Sequence, residues 1–436
     1  MDLVIRDARL RPATRAAIAS STGDDTGVDD TGVGNTGVGN TVDIGIADGR
    51  IAAIGSTVAA EPNTEVLDAE GGLVTESFVD AHLHLDKVFT ASVIGDEAFA
   101  DYHTGGMTGA ADAIDTAAAV KLGQDPDSML EAGRRVLAMA AFYGTTDIRA
   151  LADVDTKAGL RGVEALCALR DEFATDVHLQ VVAFAQDGII KESGTDELLA
   201  RAMELGADVV GGIPWIEADE AAMAAHCDVV FDVAAAFDAP ISMLLDDVGD
   251  PDCRTLEMMA RRAVDRGWHG RALAHHARAM SLYPDDYFQA LVPLLVEAGV
   301  AVVSDPHTGP LHARVSELLD AGVTVCLGQD DISDAYYAFG RENMLEVAFL
   351  AAHLLWTMDA AGREMVYDAV TVAAADALGL EGRRLGLGAP AHLVVLGVAD
   401  TLDALRFHPA PTAVIRDGRV LDRERYRNLA SVPDRC

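Results

Sequence analysis

The sequence predicts a (β/α)8 barrel with a small β-sandwich domain built from both chain ends. Three observations predict it. Eight short apolar, β-branched runs alternate in order with Ala/Leu/Glu-rich segments of helical character, as strand–helix units of a parallel barrel do. The ionisable residues collect at the C-terminal ends of those runs, the end of such barrels that carries chemistry. Strand-like segments with Asp-Gly turns flank the array on both sides, a hairpin signal.

From the N-terminus, Leu3 to Ile5, VDIGIADGRIAAIG and TEVLDAEGGLV read as half-buried strands, with Asp48-Gly49 as a turn. Between them, residues 20–40 form a short-period repeat, SSTGDDTGVDDTGVGNTGVGN, with no apolar side chain larger than valine. It cannot bury a core and is expected to be a mobile acidic loop. The eight runs follow: ESFVDAHLHL, TTDIRAL, VHLQVVAFAQ, ADVVGGIP, PISMLLDD, RALAHH, VAVVSDP and VTVCLGQDD. The apolar stretch from Leu345 to Trp356 reads as a core helix. PAHLVVLG and TAVIRDGRVL then return to strand character, with Asp417-Gly418 as the turn. The chain thus divides into 1–72 and 384–436, the two parts of the sandwich, and 73–383, the barrel.

The formal net charge is −37, and only four of the cations are lysines: Lys87, Lys121, Lys157 and Lys191. A surface this acidic repels nucleic acid and anionic membranes. The acids are spread along the chain, so we read a halophile-type surface adapted to high salt rather than a dock for a basic partner. The apolar runs are too short to span a bilayer. MDLVIRDARLRP carries charges inside its apolar stretch, so no signal peptide is expected. Five scattered cysteines without a CxxC pair fit a reducing cytoplasm and argue against a cysteine zinc cluster. The expected partner is a small-molecule substrate, with no nucleic acid and no membrane; homo-oligomerisation stays open.

The chemistry starts at DAHLHLDK. His82 and His84 are separated by one residue, and in a strand such residues point to one side. Run three ends in Gln186, run five in Asp246-Asp247, run six in His275-His276 and run eight in Asp330-Asp331. Two imidazoles and a carboxylate suit zinc or ferrous iron with open positions for water, and a nearby carboxylate or histidine can shuttle a proton. Each piece has a structural reading too. An HxH is often coincidental, a strand-end Asp is usually a helix N-cap, Gln186 could be a loop amide, and His275-His276 could be a buried pair satisfied by backbone groups. Their joint placement at one barrel end favours function.

Several longer phrases go further: VIRDARL, IADGRIAAIG, FVDAHLHLDKVFT, QVVAFAQDGII, ADVVGGIP, ARAMSLY and VCLGQDDISDAYYAFGRENML. Through them the sequence resembles the amidohydrolase superfamily over nearly its whole length. Within it, the likeness is to the cytosine deaminase branch, which includes the N-isopropylammelide hydrolases. The resemblance implies that His82, His84 and Asp330 bind one divalent metal ion, zinc or iron. It also implies that Gln186 holds a pyrimidine, that His276 orients the attacking water, and that Asp331 and Tyr336 line the substrate pocket. Ala185 stands where the branch has proline, and Tyr336 where it often has tryptophan.

The main departure is at run five. The branch typically reads His-Cys-Asp-Glu there, its His a third imidazole ligand and its Glu the proton shuttle; this chain reads Leu244-Leu245-Asp246-Asp247. Leu244 cannot bind metal, and Asp247 is one methylene shorter than Glu. Arg149 to Asp153 also departs from the branch, and Gln329 stands where His is common. The expected activity is a metal-dependent hydrolysis of a C–N bond in a small ring. A cytosine-like deamination would use Asp247, His276 and Asp330 catalytically. The alternatives are an N-alkyl amino-azine hydrolase and a metal-free ligand-binding homologue that kept the scaffold.

Overall fold

The computed structural model describes residues 1–22, 41–94 and 120–430. Most of the repeat expected to form a mobile loop therefore lies outside the described residues. Residues 20–22 of it are the last residues of a helix, Pro12–Thr22, which the sequence reading did not anticipate.

The first four strands are β1 (Leu3–Ala8), β2 (Val42–Ala47), β3 (Arg50–Gly55) and β4 (Glu65–Asp68), in the sheet order β3-β2-β1-β4. Later in the chain come β5 (Leu73–Glu76), β14 (Leu393–Leu396), β15 (Ala413–Arg416) and β16 (Arg419–Val420), in the order β16-β15-β14-β5. The two sheets share one apolar core that includes Leu3, Ile5, Ile44 and Ile46 from the first and Val74, Leu393, Val395 and Ile415 from the second. Both expected hairpins form. Asp48 and Gly49 have φ of 50° and 73°, and Asp417 and Gly418 have 50° and 75°, the left-handed pair that matches strand twist in a two-residue turn. The two turns touch, since a Cβ on Gly418 would stand 2.8 Å from the Gly49 Cα.

Between these sheets run eight parallel strands. They are β6 (Phe78–Leu83), β7 (Thr145–Asp153), β8 (His178–Ala185), β9 (Val209–Gly212), β10 (Ile241–Leu245), β11 (Ala272–His276), β12 (Ala301–Val303) and β13 (Val325–Cys326). They neighbour one another in sequence order and correspond one for one to the eight runs. A parallel bridge from Leu83 to Asp330 closes the ring, with Asp330 N donating to His82 O and His84 N to Asp330 O at 2.7 and 2.8 Å. The closure is tight at Gly328, where a Cβ would meet His82 atoms at 2.6–2.8 Å.

Deep in the barrel, Val79, Ala81, Leu273, Val303 and Cys326 pack against Ala374 and Ala375 of the helix Val372–Ala377. The helix Met344–Leu354 packs its Leu345, Val347 and Ala351 with β14 and β15 residues, as expected of a core helix, while Trp356 beyond it is exposed. No helix among the described residues is long and apolar enough to cross a membrane.

Candidate active site

At the C-terminal end of the barrel a small cavity of about 40 Å³, opening to solvent, is lined by His84, Gln186, Ile213, Trp215, Leu244, Asp247, His276, Arg278, Thr308, Asp330, Asp331 and Tyr336. Gln186, His276 and Asp330, from three different strand ends, thus share one pocket. Had they stood apart, the hydrolase reading would have failed. His82 lies just behind, fully buried. His276 and Asp330 hold φ of 66° and 67°. That left-handed conformation is disfavoured for non-glycine residues and concentrates at functional sites.

The donor atoms converge. His82 Nε2 is 3.3 Å from His84 Nε2 and 3.5 Å from Asp330 Oδ1. His84 Nε2 and His276 Nε2 stand 4.0 and 3.8 Å from the same oxygen. Four donors about 2.1 Å from a tetrahedral ion would be about 3.4 Å apart. The spacing therefore fits a divalent cation, which His82, His84 and Asp330 could hold, with His276 and Asp305 offering further donor atoms within reach. Nitrogen and oxygen donors of this kind do not separate zinc from iron.

The charge states of His84 and His276 suit that role, while His82 would release a proton on binding a metal. Burial, then Lys87, holds the His84 imidazole well below its ordinary value, and burial, then Arg278, does the same to His276; neutral imidazoles ligate. Burial opposes charge on both His82 and Asp330. The carboxylates of Asp330 and Asp305 still raise His82, and His276, His82 and Arg278 still lower Asp330. Asp331 differs from its neighbour: burial, then Asp330, raises its carboxyl well above the usual range.

Two structural readings are decided here. Asp246 is a cap: its Oδ1 accepts from Thr255 N at 2.6 Å and Thr255 Oγ1 at 2.7 Å, at the start of the helix Thr255–Asp265. Asp247 instead faces the cavity, where its Oδ1 accepts from Arg278 Nη1 at 2.6 Å. The idea that His275 and His276 are satisfied by backbone groups fails. Both His275 nitrogens and His276 Nδ1 are buried without a hydrogen-bond partner. Both residues stay in register with β10, and the chain turns left-handed at His276 and Ala277.

Sequence reasoning missed Asp305 and Arg278. Asp305 Oδ2 lies 3.2 Å from His82 Nδ1, while its Oδ1 accepts from Gly328 N at 2.7 Å. That contact turns His82 Nε2 into the cluster. The signal was weak, because Pro306 follows Asp305 in VAVVSDP and makes that end read as an ordinary strand stop. Leu244 packs with Leu151, Val182, Phe184, Val209 and Ile213 and forms an apolar wall, and the cavity remains open beside it.

The fold and these donors define a metal-dependent hydrolase barrel. A family model described as amidohydrolase family matches residues 172–422, and the chain belongs to that family. The N-isopropylammelide isopropyl amidohydrolase of a Pseudomonas species is 28% identical over 383 residues, 87% of this chain and 93% of that one. The pterin deaminase of Rhizobium rhizogenes is 27% identical over 411 residues, 89% of this chain and 90% of that one. The crystal structure of a 5-methylcytosine deaminase from Klebsiella pneumoniae with 5-fluorocytosine superposes with a TM-score of 0.81 at 28% identity, over 96% of this chain and 97% of that one. The protein is accordingly a hydrolase acting on carbon–nitrogen bonds other than peptide bonds.

Proposed function

We propose that the protein is a cytoplasmic, one-metal hydrolytic deaminase that removes ammonia from a cytosine-like pyrimidine or related amino-azine. The observation that carries this reading is the single cavity shared by Gln186, Asp247, His276, Asp330, Asp331 and Tyr336, beside a donor set that fits a divalent ion. Such an ion, when bound, lowers the pKa of water towards neutrality and polarises the carbon it attacks.

The chain's own residues would do the rest. Trp215 and Tyr336 give the ring flat apolar contact, and Gln186 holds its amide edge. His276, neutral and aimed at Asp330, orients the attacking water. Asp247 takes the proton of that water and passes it to a ring nitrogen; Arg278 fixes its carboxylate for the transfer. Asp331 faces the departing amine, which takes the second proton of the water and leaves as ammonia. Four free cysteines, Cys167, Cys227, Cys253 and Cys326, are consistent with the cytoplasm, and the acidic surface with high salt.

Two readings compete. In an N-alkyl amino-azine hydrolase the same groups would release an alkylamine, and the pocket's apolar wall of Leu244, Ile213 and Trp215 would hold the alkyl chain. In a metal-free binder Leu244 would close the site; the cavity that remains beside it favours the enzyme. The test is elemental analysis of protein purified in high salt without chelator, followed by ammonia and alkylamine assays on amino-pyrimidines and triazines. About one equivalent of zinc or iron with ammonia release is expected. Protein that takes up no metal and releases neither amine would overturn the reading.

A further inference from the structure

We propose that His275 supplies a third imidazole to the metal centre, from the strand next to the one on which Leu244 holds the matching position. This rests on the metal-hydrolase reading above and goes beyond its donor set.

His275 is fully buried. Among the described residues it is the one histidine with both ring nitrogens buried and without a hydrogen-bond partner. A neutral imidazole has one donor and one acceptor, and a dry interior does not leave both unused without a reason. Its surroundings narrow the reason. Its register partners are Leu244 on β10 and Val303 on β12, and neither can hydrogen-bond through its side chain. On the side towards the barrel floor, Arg149 already donates to Gln180, Ser242 and the carbonyl of Leu378.

The remaining direction leads to His82, whose ring stands edge-on to His275 with centroids 4.4 Å apart and planes at 75°. His82 is a fully buried member of the donor cluster, so the His275 ring packs directly against that cluster, and a small rotation of the side chain would turn a nitrogen towards it.

The pairing of Leu244 with His275 makes the idea testable by exchange. Neighbouring strands are about 4.8 Å apart, so a histidine at 244 would hang at the same depth as the one at 275, one strand over. The experiment loads cobalt(II) into chelator-stripped wild type, His275→Gln, His275→Ala and the double variant Leu244→His/His275→Ala. Metal stoichiometry, affinity against a competing chelator and the visible cobalt spectrum are read, with circular dichroism checking the fold. His275→Gln, which keeps bulk and polarity, guards against simple collapse.

We expect both single variants to lose affinity on the order of 100-fold with a changed cobalt spectrum, and the double variant to recover much of it. A wild type that binds cobalt, with folded His275→Gln of equal affinity and identical spectrum, would overturn this proposal and leave the hydrolase reading standing. A wild type that binds no metal would overturn both.

Discussion

The two ends of the barrel solve the burial of polar groups in opposite ways. Towards the floor, Arg149 is a cation with no carboxylate partner among the described residues, and burial lowers its pKa to about 10. Yet Nε and Nη2 reach Gln180 Oε1 at 2.9 and 2.7 Å, Nη1 reaches Ser242 Oγ at 3.2 Å, and Nη2 also reaches Leu378 O at 3.3 Å. At the mouth, histidines and aspartates crowd together, and His84 Nδ1, His276 Nδ1 and both nitrogens of His275 have no hydrogen-bond partner. A closed set of neutral acceptors is a structural solution. Histidines and aspartates crowded without mutual hydrogen bonds mark a candidate functional site.

The comparison breaks most visibly by removing one group at each end. Asp330→Asn should lower turnover on the order of 1000-fold or more, since it removes several kcal/mol of metal-linked stabilisation. Its urea unfolding free energy should stay within about 1 kcal/mol of wild type. Arg149→Met should do the reverse: about 3 kcal/mol less stable, from acceptors stranded in the interior, with metal content and turnover per folded molecule unchanged. A floor variant that loses metal would show that the two ends are not separate.

A smaller effect sharpens the picture at the mouth. Asp305→Asn keeps the shape but weakens the acceptor that turns His82, and should lower metal affinity about 10–100-fold, read by chelator competition.

The smallest effect concerns Asp331. Its folded-state carboxyl holds its proton more tightly than the unfolded chain does, so its contribution to stability is complete below the ordinary carboxylate range. That contribution fades as pH rises through the raised value, with a slope of at most about 1.4 kcal/mol per pH unit. In metal-stripped protein, Asp331→Asn should flatten this decline, so that urea unfolding shows the variant more stable than wild type at alkaline pH. An unchanged slope would mean that another carboxyl, such as Asp80 with its pKa raised to about 7 by burial, dominates.

Much of this was legible in the sequence. The eight runs became β6 to β13 because strands buried on both faces must be apolar throughout, and that leaves a plain signature. Asp48-Gly49 and Asp417-Gly418 were legible because few residues accept two left-handed positions in succession. His82, His84, Asp330 and Asp331 were readable as strand-end residues. Pro12–Thr22 was not, since its alanines and threonines give no clear apolar stripe. Asp305 was hidden by the proline after it, which makes Ser-Asp-Pro read as an ordinary strand stop. Arg278 opens a short 3-10 helix just after the left-handed Ala277, and nothing in ARAM says that its guanidinium folds back onto Asp247.

The sandwich also sets an order of events during synthesis. The sheet of β1 to β4 buries Ile44 and Ile46 against Leu393 and Ile415, and β5 pairs with β14. Those partners are made roughly 300 residues later, roughly 15–60 s at usual rates of translation. Until then the nascent N-terminal strands expose apolar faces and an unpaired edge. The emerging chain has a built-in interval of vulnerability, in which a holding chaperone or a pause-free message would raise the yield of native enzyme.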